Sequence, residues 1–243
     1  MGTTTRKKKI VSVIIPAYNE ERTIATVALI ASTHPYVDEV IIVDDASTDG
    51  TAEQLIDLDI HYVRLEKNHG KAGAMQTGVE EARNDILFFI DADIVGLTHE
   101  MMSELIVRVA SGRYDMFVAV RDREHPLLNR IAQDTMLLGG ERVMTKELWS
   151  YVPKEFKRNF QIETALNFFA RERGYRVGSK IMQGLTQVIK EKKRGILRGL
   201  YDRFVMIVDV TFAFVRLHIM ERYRISRLNI GRDMSRKKNM YKY

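Results

Sequence analysis

The sequence predicts an α/β fold, a mostly parallel sheet flanked by helices, and three observations carry that expectation. Short apolar, largely β-branched runs recur along the first half of the chain: IVSVII at 10–15, VIIV at 40–43, ILFFI at 86–90 and MFVAV at 116–120. Helix-forming stretches separate them, which is the pattern of βαβ units with right-handed crossovers. Acids or turn-forming residues stand at the C-terminal end of the strands, the edge at which ligands of such sheets bind.

Taken in order, IVSVII ends at Pro16, and Asn19 offers an N-cap to a helix whose first turn carries Glu20 and Glu21. VIIV ends at Asp44 and Asp45, followed by the turn-rich ASTDG and a helical stretch, TAEQLIDL. HYVRL at 61–65 is a third strand, and a loop with Asn68 and Gly70 leads to an Ala-rich helix over 71–83. ILFFI then runs into Asp91-Ala92-Asp93, a helix spans Thr98 to Ala110, and MFVAV follows. Beyond Arg121 the pattern predicts a helix over 127–138, a tight turn or close backbone approach at Gly139-Gly140, and a short helix capped by Thr145 and stopped by Pro153. An amphipathic helix over 161–173 and a strand in YRVGSKIMQ complete the body.

Composition narrows the functional classes. Apolar residues make up 45% of the 243, enough for a substantial core in one domain. Cysteine is absent, which removes disulfides, thiolate chemistry and cysteine metal sites. No run of about 18 apolar residues predicts a transmembrane helix, and VSVIIP is too short and too β-branched for a signal-peptide core. The expected location is cytoplasmic, or peripheral on the cytoplasmic membrane face.

The net charge of +6 is uneven: from Lys190 onward 15 Lys and Arg face 5 Asp and Glu, leaving 23 against 27 before it. Residues 194–223 read as a long helix on which Asp202, Asp209 and Arg216 form one narrow polar stripe. Phe204, Val205, Ile207, Val208, Phe212, Phe214 and Val215 cover most of the rest. Such a helix needs a partner, and two accounts fit equally: packing across the body or in a homodimer, or lying on an anionic membrane surface with the basic tail at the headgroups. No nucleic-acid module is recognisable. The expected organisation is a domain over 1–193 extended by the helix and tail at 194–243.

Asp91 and Asp93 are the pivotal pair. Two carboxylates at the end of a buried strand are a candidate Mg2+ or Mn2+ site, and they are also acids that can cap the following segment. Convergence with Pro16–Glu20 and Asp44-Asp45 at one sheet edge favours a site.

VSVIIPAYNEERTI, VDDASTDGT, NHGKAGAMQTGVEEA and FFIDADI, in this order, resemble the N-terminal half of family 2 glycosyltransferases over about residues 10–125. The resemblance implies a GT-A fold, Rossmann-like, and an inverting transferase that takes a sugar from a nucleotide diphosphate sugar such as a UDP or GDP sugar. It implies that Pro16, Tyr18, Glu20, Val43 and Asp45 line the nucleoside pocket and that Lys71 helps hold the nucleotide. Asp91 would approach the nucleotide sugar, and Asp93 would ligate Mg2+ or Mn2+. Arg121 follows its strand as a phosphate-binding arginine does in polyprenol-phosphate sugar transferases; an ordinary surface arginine fits equally. Glu163 resembles the acid that serves as base toward a hydroxyl acceptor, although a first-turn acid also complements a helix dipole. With a lipid-phosphate acceptor no base is needed, and Glu163 would position the acceptor or a basic partner.

Two departures leave the acceptor open. Val95 stands where polyprenol-phosphate sugar transferases often carry a polar residue beside the metal. ETALNFFARERGYRV and QGLTQVIKEKKRG are similar to glucosyl-3-phosphoglycerate synthases, but the metal-binding His of their later segment is missing, since no His lies between His125 and His218. A sugar-1-phosphate nucleotidyltransferase would need a Gly-rich basic N-terminal loop, which PAYNEERT is not. A non-catalytic nucleotide-sugar or membrane-binding module is the remaining alternative.

Overall fold

The computed structural model describes residues 10–121, 139–157, 161–187 and the single position Val215. The helix expected over 127–138 and the long C-terminal helix lie outside these residues.

Nine strands and five α-helices form the described body. In chain order they are β1 (Val11–Ala17), α1 (Ile24–Ser32), β2 (Val37–Asp44), β3 (His61–Arg64), α2 (Gly70–Glu81), β4 (Ile86–Phe89) and β5 (Ile94–Val95). Then come α3 (His99–Ala110), β6 (Met116–Arg121), β7 (Arg142–Thr145), α4 (Lys146–Tyr151), α5 (Gln161–Glu172), β8 (Val177–Met182) and β9 (Thr186–Gln187). Seven strands make one sheet in the order β3-β2-β1-β4-β7-β6-β8, and β5 pairs with β9 in a small second sheet.

Alternation along the strands builds two cores, one on each face. Val13 and Ile15 of β1 join Ile42 and Phe88 against Val27 of α1 and Leu105 of α3. Ile14, Ile41, Leu87 and Phe89 face the other way, against Met75 of α2, Trp149 of α4 and Leu166 of α5. The Trp149 indole stacks on Phe89 with centroids 5.0 Å apart, and its Nε1–H donates to Gln76, so the one polar atom of this buried ring is satisfied.

Thr145 caps α4 by accepting from Leu148 N, as the sequence predicts, and Thr98 caps α3 by accepting from Met101 N. Two expectations are corrected. Asn19 caps no helix: α1 begins at Ile24, and Asn19 takes the left-handed conformation (φ 57°) that asparagine tolerates. Its Oδ1 accepts from Thr48 N at 2.8 Å and its N–H donates to Ser47 Oγ at 2.9 Å, so it ties the loop after β1 to the loop after β2. TAEQLIDL forms only a 3-10 turn over Glu53–Leu55. Leu55 is its buried anchor and Ile56 is exposed, and one anchor does not offset the cost of nucleating a longer helix.

β7 is unexpected, and it matters most for the site. It runs antiparallel to both β4 and β6, with Phe88 and Phe117 both opposite Val143. The strands β1, β2, β4 and β6 therefore share one direction, and β7 delivers its N-terminal end to their carboxyl edge. No helix among the described residues is long and apolar enough to cross a membrane.

Candidate active site

At that carboxyl edge the loops after β1 and β2 are stitched together, and Asp45 stands at their junction. Its N–H donates to Ala17 O at 2.8 Å, its carbonyl accepts from Asn68 Nδ2, and its Oδ1 accepts from His69 N at 2.6 Å. Asp44 turns the other way: Oδ1 accepts from Ser47 N and Oδ2 from the Tyr62 hydroxyl. Burial, together with the Asp44 carboxylate, pushes the Tyr62 phenol up to about 12. Asp44 thus serves the fold, and Asp45 holds the entry to α2 in place. Tyr18 is exposed beside them, Pro16 is half-buried, and Glu20 is anchored through its N–H to Thr51 Oγ1. Val43 is wholly buried among Ile14, Ile41 and Met75, so its side chain belongs to the core beneath the edge.

A chain of charges crosses the end of β4. Lys71, in the first turn of α2, places Nζ 2.7 Å from Asp91 Oδ1 and 2.7 Å from Glu163 Oε1 in the first turn of α5. Arg121, the last residue of β6, holds Asp91 Oδ2 at 2.8 Å and Glu141 Oε1 at 2.6 Å. Burial disfavours the charge on Lys71, but the carboxylates of Asp91 and Glu163 outweigh it and raise its pKa above that of an ordinary lysine. Burial likewise opposes ionisation of Asp91, and the two cations overcome it, holding its carboxyl well below the usual range. Glu141 is fully buried: burial pushes its carboxyl up, against the pull of Arg121. Arg142 is buried beneath the same cluster and donates to Gly139 O at 2.6 Å.

Gly140 explains how the chain passes this cluster. A Cβ there would fall on Asp91 Oδ2, so only glycine leaves the carboxylate its place between the two cations. This is the close approach that the sequence predicts at Gly139-Gly140.

Asp93 is buried and is bonded differently. Both its oxygens accept from the neutral amide of Gln187, Oδ1 at 2.7 Å and Oδ2 at 2.6 Å. Lys71 and Arg121 engage Asp91, Glu141 and Glu163, whereas among the described residues no ion pair reaches Asp93. Among the described residues no cluster of three or more His, Asp or Glu could hold a metal. Asp93 alone is a donor of the kind Mg2+ or Mn2+ would take in the form in which Mg2+ commonly binds, on one or two carboxylates with phosphate oxygens completing the shell.

The edge thus gathers Pro16, Tyr18, Glu20, Asp45, Lys71, Asp91, Asp93, Arg121 and Glu163. Glu141, Arg142 and Gln187 were not anticipated. The neighbouring glycine pair was the only sequence signal for the first two, and Gln187 had none. One hollow, lined by Asp38, Glu39, His61 and Arg83, lies at the opposite end of the strands.

A mostly parallel sheet with this edge defines the GT-A class of glycosyltransferases. The solved structures of glucosyl-3-phosphoglycerate synthase from Mycobacterium tuberculosis share the fold. One, in complex with Mn2+, UDP and glucosyl-3-phosphoglycerate, is 22% identical with a TM-score of 0.68, covering 86% of this chain and 80% of that one. Another, with Mg2+ and UDP, is 21% identical with a TM-score of 0.69, covering 86% of this chain and 79% of that one. The family model of glycosyl transferase family 2 matches residues 12–179, and the chain belongs to that family. Undecaprenyl-phosphate 4-deoxy-4-formamido-L-arabinose transferases are among its relatives. That of Yersinia enterocolitica is 32% identical over 160 residues, 60% of this chain and 47% of the relative. That of Pectobacterium atrosepticum is 33% identical over 158 residues, 59% and 46%. The chain spans about half the length of the curated relatives it matches.

Proposed function

We propose that this chain transfers a sugar from a nucleotide diphosphate sugar to a lipid-linked phosphate, with inversion and with the help of Mg2+ or Mn2+. The charge distribution at the end of β4 carries the reading: two cations converge on Asp91, and Asp93 beside it is met by a neutral amide. The printed names of the curated relatives support a polyprenyl phosphate as acceptor, and the UDP in the solved neighbours supports a nucleoside diphosphate donor.

In this reading Pro16, Tyr18, Glu20 and Asp45 border the nucleoside, with Val43 supporting them from the core. Lys71 reaches the diphosphate and Asp93 takes the divalent cation, with Asp91 next to it. When bound, the cation offsets the charge that builds on the leaving diphosphate, a contribution of several kcal/mol. Asp91 orients Lys71 and Arg121 rather than accepting a proton, since its carboxyl is held strongly acidic. Arg121 meets the acceptor phosphate.

The acceptor follows from what the carboxylates are doing. A hydroxyl needs a base, and Glu163 is engaged by Lys71 at 2.7 Å. A phosphate acceptor is already ionised and needs only cations to steer it. Glu163 then has a holding role, keeping Lys71 over Asp91. Residues 1–193 form the transferase domain, and 194–243 place it peripherally on an anionic membrane surface.

The test is transfer of labelled sugar from UDP and GDP donors to polyprenyl phosphate in the presence of Mn2+. Asp93→Ala should reduce turnover at least about a hundredfold with the fold retained, since one carboxylate holds the cation. Undiminished turnover would overturn the reading.

A further inference from the structure

Gln187 is the residue at this edge that the transfer chemistry does not yet use. Its amide stands between two groups of opposite character. Nε2 donates to both oxygens of Asp93, and Oε1 accepts from Arg121 Nη1. The orientation is dictated by the partners: an ionised carboxylate only accepts and a guanidinium only donates, so the amide nitrogen must face Asp93 and the carbonyl must face Arg121.

The backbone holds it there. Gln187 lies opposite Ile94 in the β5–β9 pair, one residue after Asp93. The strand can come this close because Gly96, at φ 83°, lies against the Gly184 carbonyl, where a Cβ would clash. An amide carbonyl is also a hard oxygen ligand of the kind Mg2+ and Mn2+ take. A half-turn of the terminal amide exchanges its two ends without moving the chain.

We propose that Gln187 is a further protein group of the donor site, its carbonyl joining Asp93 on the divalent cation that accompanies the nucleoside diphosphate. The same half-turn takes the acceptor from Arg121 Nη1 and sets the amide N–H against it; two donors repel, so the guanidinium turns to another acceptor, a phosphate oxygen. Gln187 thereby couples donor loading to phosphate recognition by Arg121. The role rests on the metal-dependent donor reading above.

The experiment measures Mn2+ binding by electron paramagnetic resonance on the full chain, with UDP in one arm and GDP in the other. Gln187→Leu, which keeps the bulk and loses both polar ends, should weaken Mn2+ binding in the nucleotide complex about tenfold. Gln187→Glu keeps an oxygen ligand and should bind Mn2+ as well as the wild type or more tightly. A residue that merely bonded Asp93 to the fold would give the reverse for Glu, because a second carboxylate repels Asp93. Unchanged Mn2+ binding in Gln187→Leu, or a loss in Gln187→Glu equal to that in Leu, overturns the role. If the Leu variant does not fold, the Glu variant decides alone. A wild-type chain that binds no Mn2+ with either nucleotide overturns the donor reading and this role together; a wild type that binds, with the wrong variant pattern, overturns this role only.

Discussion

Replacing Arg121 by Met probes the buried charges under the site most directly. Arg121 holds Asp91 at 2.8 Å and Glu141 at 2.6 Å. After the substitution Asp91 keeps Lys71, but Glu141, fully buried, loses its only ion-pair partner among the described residues. Removing one partner of a buried pair costs about 3–5 kcal/mol. The Arg121 side chain is 16% exposed, so water reaches part of the vacated space, and the lower end, about 3 kcal/mol, is expected.

Glu141 can relieve that cost by taking up a proton, which gives the variant a pH signature. Burial already raises this carboxyl in the wild type, and without Arg121 it rises further. A carboxyl whose folded pKa lies above its unfolded value, about 4.3, imposes no penalty below that value and an increasing one as pH climbs toward the folded pKa. The deficit of Arg121→Met should therefore be wider at the higher of two pH values, one near the unfolded value and one well above it. Adding Glu141→Gln removes the stranded charge and should recover about 2 kcal/mol. Urea unfolding at both pH values measures this. A deficit independent of pH, or no recovery in the double variant, would refute the assignment of Glu141 as a buried charge held by Arg121.

Two further outcomes follow from the same geometry and a third from the charge of the tail. Gly140→Ala puts a methyl group on Asp91 Oδ2 and should cost about 1–3 kcal/mol in thermal unfolding, with turnover falling as Asp91 leaves its cations. Glu163→Gln separates holding from proton abstraction: a holding role lowers transfer about tenfold, whereas loss of a general base lowers it by about a hundredfold or more. The full chain should co-sediment with anionic vesicles and not with neutral ones, and the binding should weaken at high salt; equal binding to both would count against a peripheral membrane role.

The sequence alone was enough for the elements whose signal is local. Strands β1, β2, β4 and β6 are built on short apolar runs, each closed by a turn former or a charge, and composition marks them without reference to the rest of the chain. The same runs set Asp45, Asp91, Asp93 and Arg121 at one sheet edge, because side chains that follow parallel strands must emerge together. Lys71 and Glu163 were legible as residues but not as partners: they are 92 positions apart, and only the meeting of two helix starts makes them an ion pair.

Tertiary structure decided the rest. RVMT carries too few apolar residues to read as a central strand; it is one because β4 and β6 flank it on both sides and Arg142 is buried among acids. Its reversed direction brings Glu141 under Arg121, which no local pattern announces. Gln187 reaches Asp93 through a two-residue strand pairing that only a folded chain can form. Local sequence chose the acids at the edge, and long-range packing chose which cation or amide each of them meets, since pairing energies depend on distances that sequence separation does not encode.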